Sequence, residues 1–99
     1  MRVEITDAAE ADLADLYAHY AGRSGPAADQ VLGAILQAIN GLASFPLMGR
    51  PGDVPETRER VVTRYPYRIV YYVNQHTQAI EIWRVIHTAQ EWPPTDEAK

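Results

Sequence analysis

The chain of 99 residues contains no cysteine. That excludes disulfides and thiolate metal sites and fits a reducing compartment. It has no apolar run near the ~18 residues a membrane span requires. Its first residues, MRVEITDAAEAD, also lack the apolar segment of a secretory signal. The expectation is a cytoplasmic protein with no membrane contact. The three histidines, His19, His76 and His87, are scattered with no partner at ligand spacing. Together with the missing thiols, this gives no sign of a metal site or cofactor. No phosphate loop, GxGxxG or Ser-His-Asp arrangement occurs. Lysine is almost absent: Lys99 stands against eight arginines. The length leaves room for one core, so a single domain is expected over residues 1–92, with 93–99 (PPTDEAK) as a solvated tail.

The net charge of −4 is unevenly spread. Residues 1–47 hold two arginines against six acids, whereas residues 48–90 hold six arginines against four. With a pI of about 5.2, the chain lacks the global footprint of a nucleic-acid binder. Positive potential is confined to the second half, and it is carried by the planar fork that suits phosphate or carboxylate.

Periodicity divides the chain into elements. Val3 and Ile5 alternate with charged neighbours and read as a strand over residues 2–6. Asp7 followed by Glu10 reads as a capping box opening a helix over 7–21. Ser24 and Pro26 open a second helix over 25–44, which Pro46 terminates. The connection is too short for anything but an antiparallel hairpin. Residues 46–57 (PLMGRPGDVPET) read as a functional loop. Strands are expected at 58–65, 67–74 and 79–87, the last two joined by a turn at NQHT. The order β-α-α-β-β-β implies an α+β fold, with the helical hairpin on one face of a mainly antiparallel four-stranded sheet. The expected core is Leu13, Leu16, Val31, Ile35, Ile39, Ile69, Tyr71, Ile80 and Ile82.

Three segments carry a resemblance: Phe45–Pro51 (FPLMGRP), Tyr67–Val73 (YRIVYYV) and Ile80–His87 (IEIWRVIH). In this order and spacing the chain resembles the RelE/ParE toxins of bacterial type II toxin–antitoxin systems, some of which serve plasmid stabilisation. The resemblance implies a toxin held in a hetero-oligomer by a cognate antitoxin, whose acidic amphipathic C-terminal segment wraps it. It is closer to the ParE-like branch, described as poisoning DNA gyrase, than to the RelE-like branch, which cleaves messenger RNA on the ribosome. A third reading is an inactive member that only binds the antitoxin.

The residues bear on that choice. In a RelE-like enzyme Arg68, Arg84 and His87 would be catalytic, supplying cations for the phosphorane and an acid or base. However, Thr88 follows His87 where such members carry tyrosine, and the central loop has no lysine. Regular pleating puts Arg84 in a core-facing row with Ile80, Ile82 and Ile86 and sets His87 on the other face, so one cluster using both needs a bulge or strand end between them. The plainer reading of Arg68 is a solvated strand arginine paired with Glu59 or Glu81. Arg84 equally reads as a structural residue bonded to a carboxylate or helix end. Arg50, Arg60 and Arg64 are candidates for target or anion binding. Leu13, Tyr17, Tyr20 and Leu36 are candidates for antitoxin binding, on a hairpin with more apolar positions than one small sheet can cover. Tyr71, Tyr72, Trp83 and Trp92 are packing residues or base-stacking ones.

Overall fold

The computed structural model describes residues 1–94. The expected tail therefore falls, from Thr95 on, outside the described residues; Pro93 and Pro94 are exposed. The elements are β1 (Arg2–Ile5), α1 (Asp7–Ala21), α2 (Gly25–Ser44), β2 (Arg50–Pro51), β3 (Thr57–Val62), β4 (Tyr67–Asn74) and β5 (Ala79–His87). Among the described residues no helix is long and apolar enough to cross a membrane.

Both helices have the expected bounds, but α1 is capped one residue earlier than Asp7. Thr6 is extended, and its Oγ1 accepts the Ala9 N–H at 3.2 Å. The same hydroxyl donates to the Ile82 carbonyl at 2.8 Å, tying the helix start to the sheet. Asp7 and Glu10 remain in the first turn, where their charge suits the helix dipole. Ser24 caps α2 as expected, accepting from the Ala27 N–H. Ala28, Val31, Ile35, Ile39 and Leu42 form the buried stripe of α2.

The sheet runs β1-β5-β4-β3-β2, with β1 parallel to β5 and the other pairs antiparallel. It has five strands, not four. The extra one, β2, lies inside the expected loop and pairs Arg50 with Glu59 and Pro51 with Arg58. Two residues offer no periodicity to read. Strand β3 starts at Thr57 and stops at Val62, short of the expected Tyr65.

The helical hairpin covers one face. Eight of the nine expected core residues are buried there; Leu13 is half-buried at the margin. The other face, called here the open face, carries Glu59 of β3 and Arg68 of β4, whereas Arg58 and Arg60 pair with Tyr71 and Ile69 in the helix-facing rows. A bulge at Trp83 divides β5: Ile82 pairs with Tyr71, but Arg84 pairs with Val70. The extra residue inverts the alternation. Ile80, Ile82, Val85 and His87 therefore face the helices, while Arg84 and Ile86 face the open side with Val70 and Arg68. Arg84 thus leaves the Ile80/Ile82 row in which regular pleating placed it.

The segment from Pro46 to Gly52 is pinned rather than loose. The buried Tyr71 hydroxyl donates to the Pro46 carbonyl at 2.7 Å and accepts the Gly49 N–H at 2.9 Å. Arg58 donates twice to the Gly49 carbonyl, at 2.6 and 3.1 Å. A Cβ on Gly49 would come within 2.7 Å of both the Tyr71 hydroxyl and the Glu59 carbonyl, so only glycine fits. Tyr71→Phe leaves a buried N–H and carbonyl without that partner. It should cost about 1–3 kcal/mol in urea unfolding; a loss within error would show that the segment anchors itself without the hydroxyl.

Candidate functional site

The arginines of the β half are distributed over both faces, and Arg50, Arg68 and Arg84 are paired with acids. On the open face, Glu59 is the centre. Its side chain is 1% exposed, and Oε1 accepts from Arg68 at 2.7 Å and from the rim residue Arg50 at 3.2 Å. Arg68 is itself 11% exposed, so the expected cross-strand pair exists but is buried rather than solvated. Its other terminal nitrogen donates to the Gln90 carbonyl at 2.7 Å, which draws the chain after β5 back across this face. Glu59 Oε2 and Arg68 Nε are buried without partners.

Arg84 shares this face but is held from the side. Asp12 of α1 takes its Nε at 2.7 Å and its Nη2 at 2.8 Å, a bidentate fork. The same carboxylate accepts the Val85 N–H at 2.9 Å, on the edge of β5 beyond the reach of β1. The Asp12 hydrogen bonds push the guanidinium pKa still higher, against a smaller opposing effect of burial. The Trp92 ring lies 5.3 Å from its Cζ.

His87 is not part of this group. It faces the helices, its ring edge-on to Tyr67 at 5.6 Å, and its Nδ1 accepts the Ala89 N–H at 3.0 Å. The bulge falls before Arg84 rather than between Arg84 and His87, so Arg68, Arg84 and His87 do not converge. Of the aromatics considered for stacking, Tyr71 is fully buried, and Tyr72 and Trp83 pack on each other at 5.7 Å.

Arg50, Arg60 and Arg64 are also separated. Arg50 belongs to the open face through Glu59. Arg60 pairs with Ile69 in the ladder and so points to the helix side, where it lines a cleft with Arg64. Leu13, Tyr17 and Leu36 do come together. They line a shallow groove of about 630 Å³ along the outer side of the hairpin. Tyr17 donates to Asp29 Oδ1 at 2.8 Å across its rim, which raises the phenol pKa. Tyr20 lies outside the groove, edge-on to Tyr67 at 6.4 Å. Among the described residues no cluster of three or more His, Cys, Asp or Glu could hold a metal ion.

Burial, with Tyr20 adding to it, pushes the Tyr67 phenol up to about 12. The unfolded phenol ionises near pH 10. Because the folded value is the higher, the contribution is complete below about pH 10 and is lost as pH rises toward 12. Urea midpoints measured across that window should fall for the wild type and fall less for Tyr67→Phe. Parallel curves would mean that Tyr67 ionises freely in the folded chain.

Glu59 was named by the sequence only as a partner for Arg68; nothing in its neighbours marks it as the buried hub. Asp12 was not named at all, because its partner lies 72 residues away.

A helical hairpin over one face of a sheet with a parallel β1/β5 edge is the architecture of the small RelE/ParE-type toxins. Residues 3–92 match the sequence profile of the ParE toxin of type II toxin–antitoxin systems, parDE. The chain belongs to that family. The candidate toxin Y4kP of Sinorhizobium fredii (strain NBRC 101917 / NGR234) is 40% identical over 67 residues, 68% of this chain and 67% of that one. Among solved structures, a chain of the chromosomal ParDE system of P. aeruginosa superposes with a TM-score of 0.77 at 29% identity, covering 88% of this chain and 95% of that one. A chain of the RelBE2 toxin–antitoxin complex of Mycobacterium tuberculosis gives 0.64 at 26%, covering 87% and 95%. The YoeB/ParE toxin from Agrobacterium tumefaciens shares the fold, with a TM-score of 0.61 at 19% identity over 88% and 98% of the two chains.

Proposed function

We propose that this toxin acts on a protein target, DNA gyrase, and that a cognate antitoxin neutralises it. The observation that carries the choice of target is the state of the cations. Arg68 and Arg84 are already bound to Glu59 and Asp12, and His87 lies on the opposite face. Cleavage of RNA by its 2′-hydroxyl needs free cations for the phosphorane and an acid or base beside them. A protein target makes no such demand, and the acidic pI also argues against a grip on RNA. One feature favours the ribonuclease reading: Glu59, Arg50 and Arg68 place a carboxylate and two cations on one face. Burial of Glu59 argues against its use as a base on a large substrate.

The antitoxin reading rests on the groove of Leu13, Tyr17 and Leu36, with Leu32 beside them. It is a long apolar trough between two helices, suited to the apolar face of a third. An unstructured acidic segment that becomes helical on docking would fill it.

The test runs two assays on one preparation freed of its partner. Inhibition of gyrase supercoiling without cleavage of messenger RNA on translating ribosomes is expected. Ribosome-dependent cleavage abolished by Arg68→Ala would establish the ribonuclease instead. Silence in both assays, with normal growth on expression, would leave a binding module without toxicity. For the groove, Leu13→Asp or Leu36→Asp should weaken antitoxin binding by at least about tenfold, a loss of ~1.4 kcal/mol. Unchanged affinity would place the antitoxin elsewhere.

A further inference from the structure

The sheet ends on β1 and β2, which differ in what they offer a neighbour. β2 is two residues long and includes Pro51, which has no N–H to donate. β1 contains no proline and is held straight at both ends. At one end the Met1 amino nitrogen donates to the Ala43 carbonyl at 3.0 Å. At the other, the Thr6 N–H and hydroxyl donate to the Ile82 carbonyl at 3.1 and 2.8 Å. Backbone groups alternate in direction along a strand, so Thr6 fixes the rest. Glu4 and Arg2 turn theirs toward β5. Val3 and Ile5 aim theirs away from the sheet, where no strand lies beyond β1.

The side chains of β1 form two rows. Val3 and Ile5 pair with Ile80 and Ile82 and so lie on the helix-covered side. Met1 and Val3 pack at the margin of the core, while Ile5 is left 42% exposed. Arg2 and Glu4 lie on the open face, joined by a 2.6 Å ion pair that leaves their side chains 59% and 46% exposed. An edge guarded against pairing carries charged residues, lysine above all. Charges of a single sign would repel a copy of the same edge. β1 does the opposite. Its two charges differ in sign and stand two residues apart, so the strand complements a reversed copy of itself.

We propose that β1 is the contact between two copies of this chain, paired antiparallel about a two-fold axis through Val3. Val3 faces Val3 of the second copy, and the two exchange the backbone bonds that point away from each sheet. Arg2 stands opposite Glu4 of the second copy, and Glu4 opposite its Arg2, with Cβ atoms roughly 5 Å apart. On the helix-covered side Ile5 meets Met1 of the second copy, which covers the exposed isoleucine. Parallel pairing in register would set arginine against arginine and glutamate against glutamate. Centring the antiparallel pair on Arg2 or Glu4 would do the same to one of them. The axis runs perpendicular to the sheet, so both hairpin grooves lie on one side of the dimer and both open faces on the other. The contact is small, below the ~1,200 Å² of standard stable interfaces, so association is expected at micromolar rather than nanomolar concentration.

Sedimentation velocity of the full chain, freed of any other protein, should show the mass rising from 11.1 kDa toward twice that value. The rise should fall between about 1 μM and 1 mM. Arg2→Glu and Glu4→Arg should each weaken self-association at least about tenfold, because each sets like charges opposite one another. Each also breaks the ion pair within β1, an exposed contact that contributes little to the fold, so urea midpoints should barely move. The deciding sample is the mixture. Arg2→Glu opposite Glu4→Arg is complementary at both positions, so the two variants should associate with each other as the wild type does with itself. Neither regains its internal ion pair on mixing, which separates the contact from a repair of the strand. Amide exchange should slow at Val3 and Ile5 as the dimer forms. The proposal is overturned if the wild type stays monomeric to about 1 mM, if either variant self-associates as well as the wild type, or if the mixture does not associate. It is also overturned if protection falls on β2 or the hairpin groove instead of β1.

Discussion

Ile35→Ala should lower the stability of the free chain by about 2–5 kcal/mol. Ile35 is fully buried at the middle of α2, in the same cluster as Val31 and Ile39 on its own helix and Ile69, Ile80 and Ile82 on the sheet. Removing its outer carbons opens a cavity where the hairpin meets the two central strands, and both elements are too firmly capped and paired to close it. A domain of this size has roughly 5–15 kcal/mol in all, so the variant would sit near the edge of folding. The measurement must use the chain without its partner. A ligand that binds only the native state adds stability by mass action and would conceal the loss. A cost under ~1 kcal/mol would mean that α2 does not close over the sheet through this residue.

The helices were legible because their signals are local and redundant. Ser24, Pro26 and Pro46 mark the ends of α2, and its buried residues fall at helical spacing. The cap of α1 was misplaced because Thr6 and Asp7 are both good capping residues. The choice was made by the sheet, which draws the Thr6 hydroxyl to Ile82. Strands β4 and β5 were legible from alternation, yet the same alternation misplaced Arg84. A bulge leaves no mark in a pattern of isoleucines, and Trp83 fits either face. β2 exists only because β3 lies beside it.

The site was less legible than the fold for the same reason. Leu13 and Tyr17 are four residues apart on one helix, as are Leu32 and Leu36 on the other, so a shared groove follows from spacing. Tyr20 continues the first row but turns its ring to Tyr67 instead. Arg60 and Arg64 share a cleft because β3 ends between them. Arg50, which looks similar in sequence, reaches the opposite face through its pairing with Glu59. Such differences are set by register, a property of two strands rather than one.

The other large effect concerns that register. Glu59→Ala should destabilise the chain by about 3–5 kcal/mol, because it strands a buried arginine. Arg68 is 11% exposed and loses its 2.7 Å carboxylate partner, keeping only the Gln90 carbonyl. Arg50 should suffer little, because it is 62% exposed and water replaces the lost contact. The asymmetry gives the test its force. Arg50→Ala alone should cost about 0–1 kcal/mol, the range for exposed pairs. The double variant Glu59→Leu/Arg68→Met should recover most of the loss, since replacing both members of a buried pair with apolar groups is often neutral or stabilising by 1–4 kcal/mol. The three are compared by urea unfolding at neutral pH and again at high salt. Screening should weaken the contribution of Arg50 and leave the Glu59–Arg68 pair nearly unchanged. If the double variant is no more stable than Glu59→Ala, the pair is not an isolated ionic contact. The two orphaned atoms, Glu59 Oε2 and Arg68 Nε, would then belong to a larger polar network on the open face that the apolar side chains cannot replace.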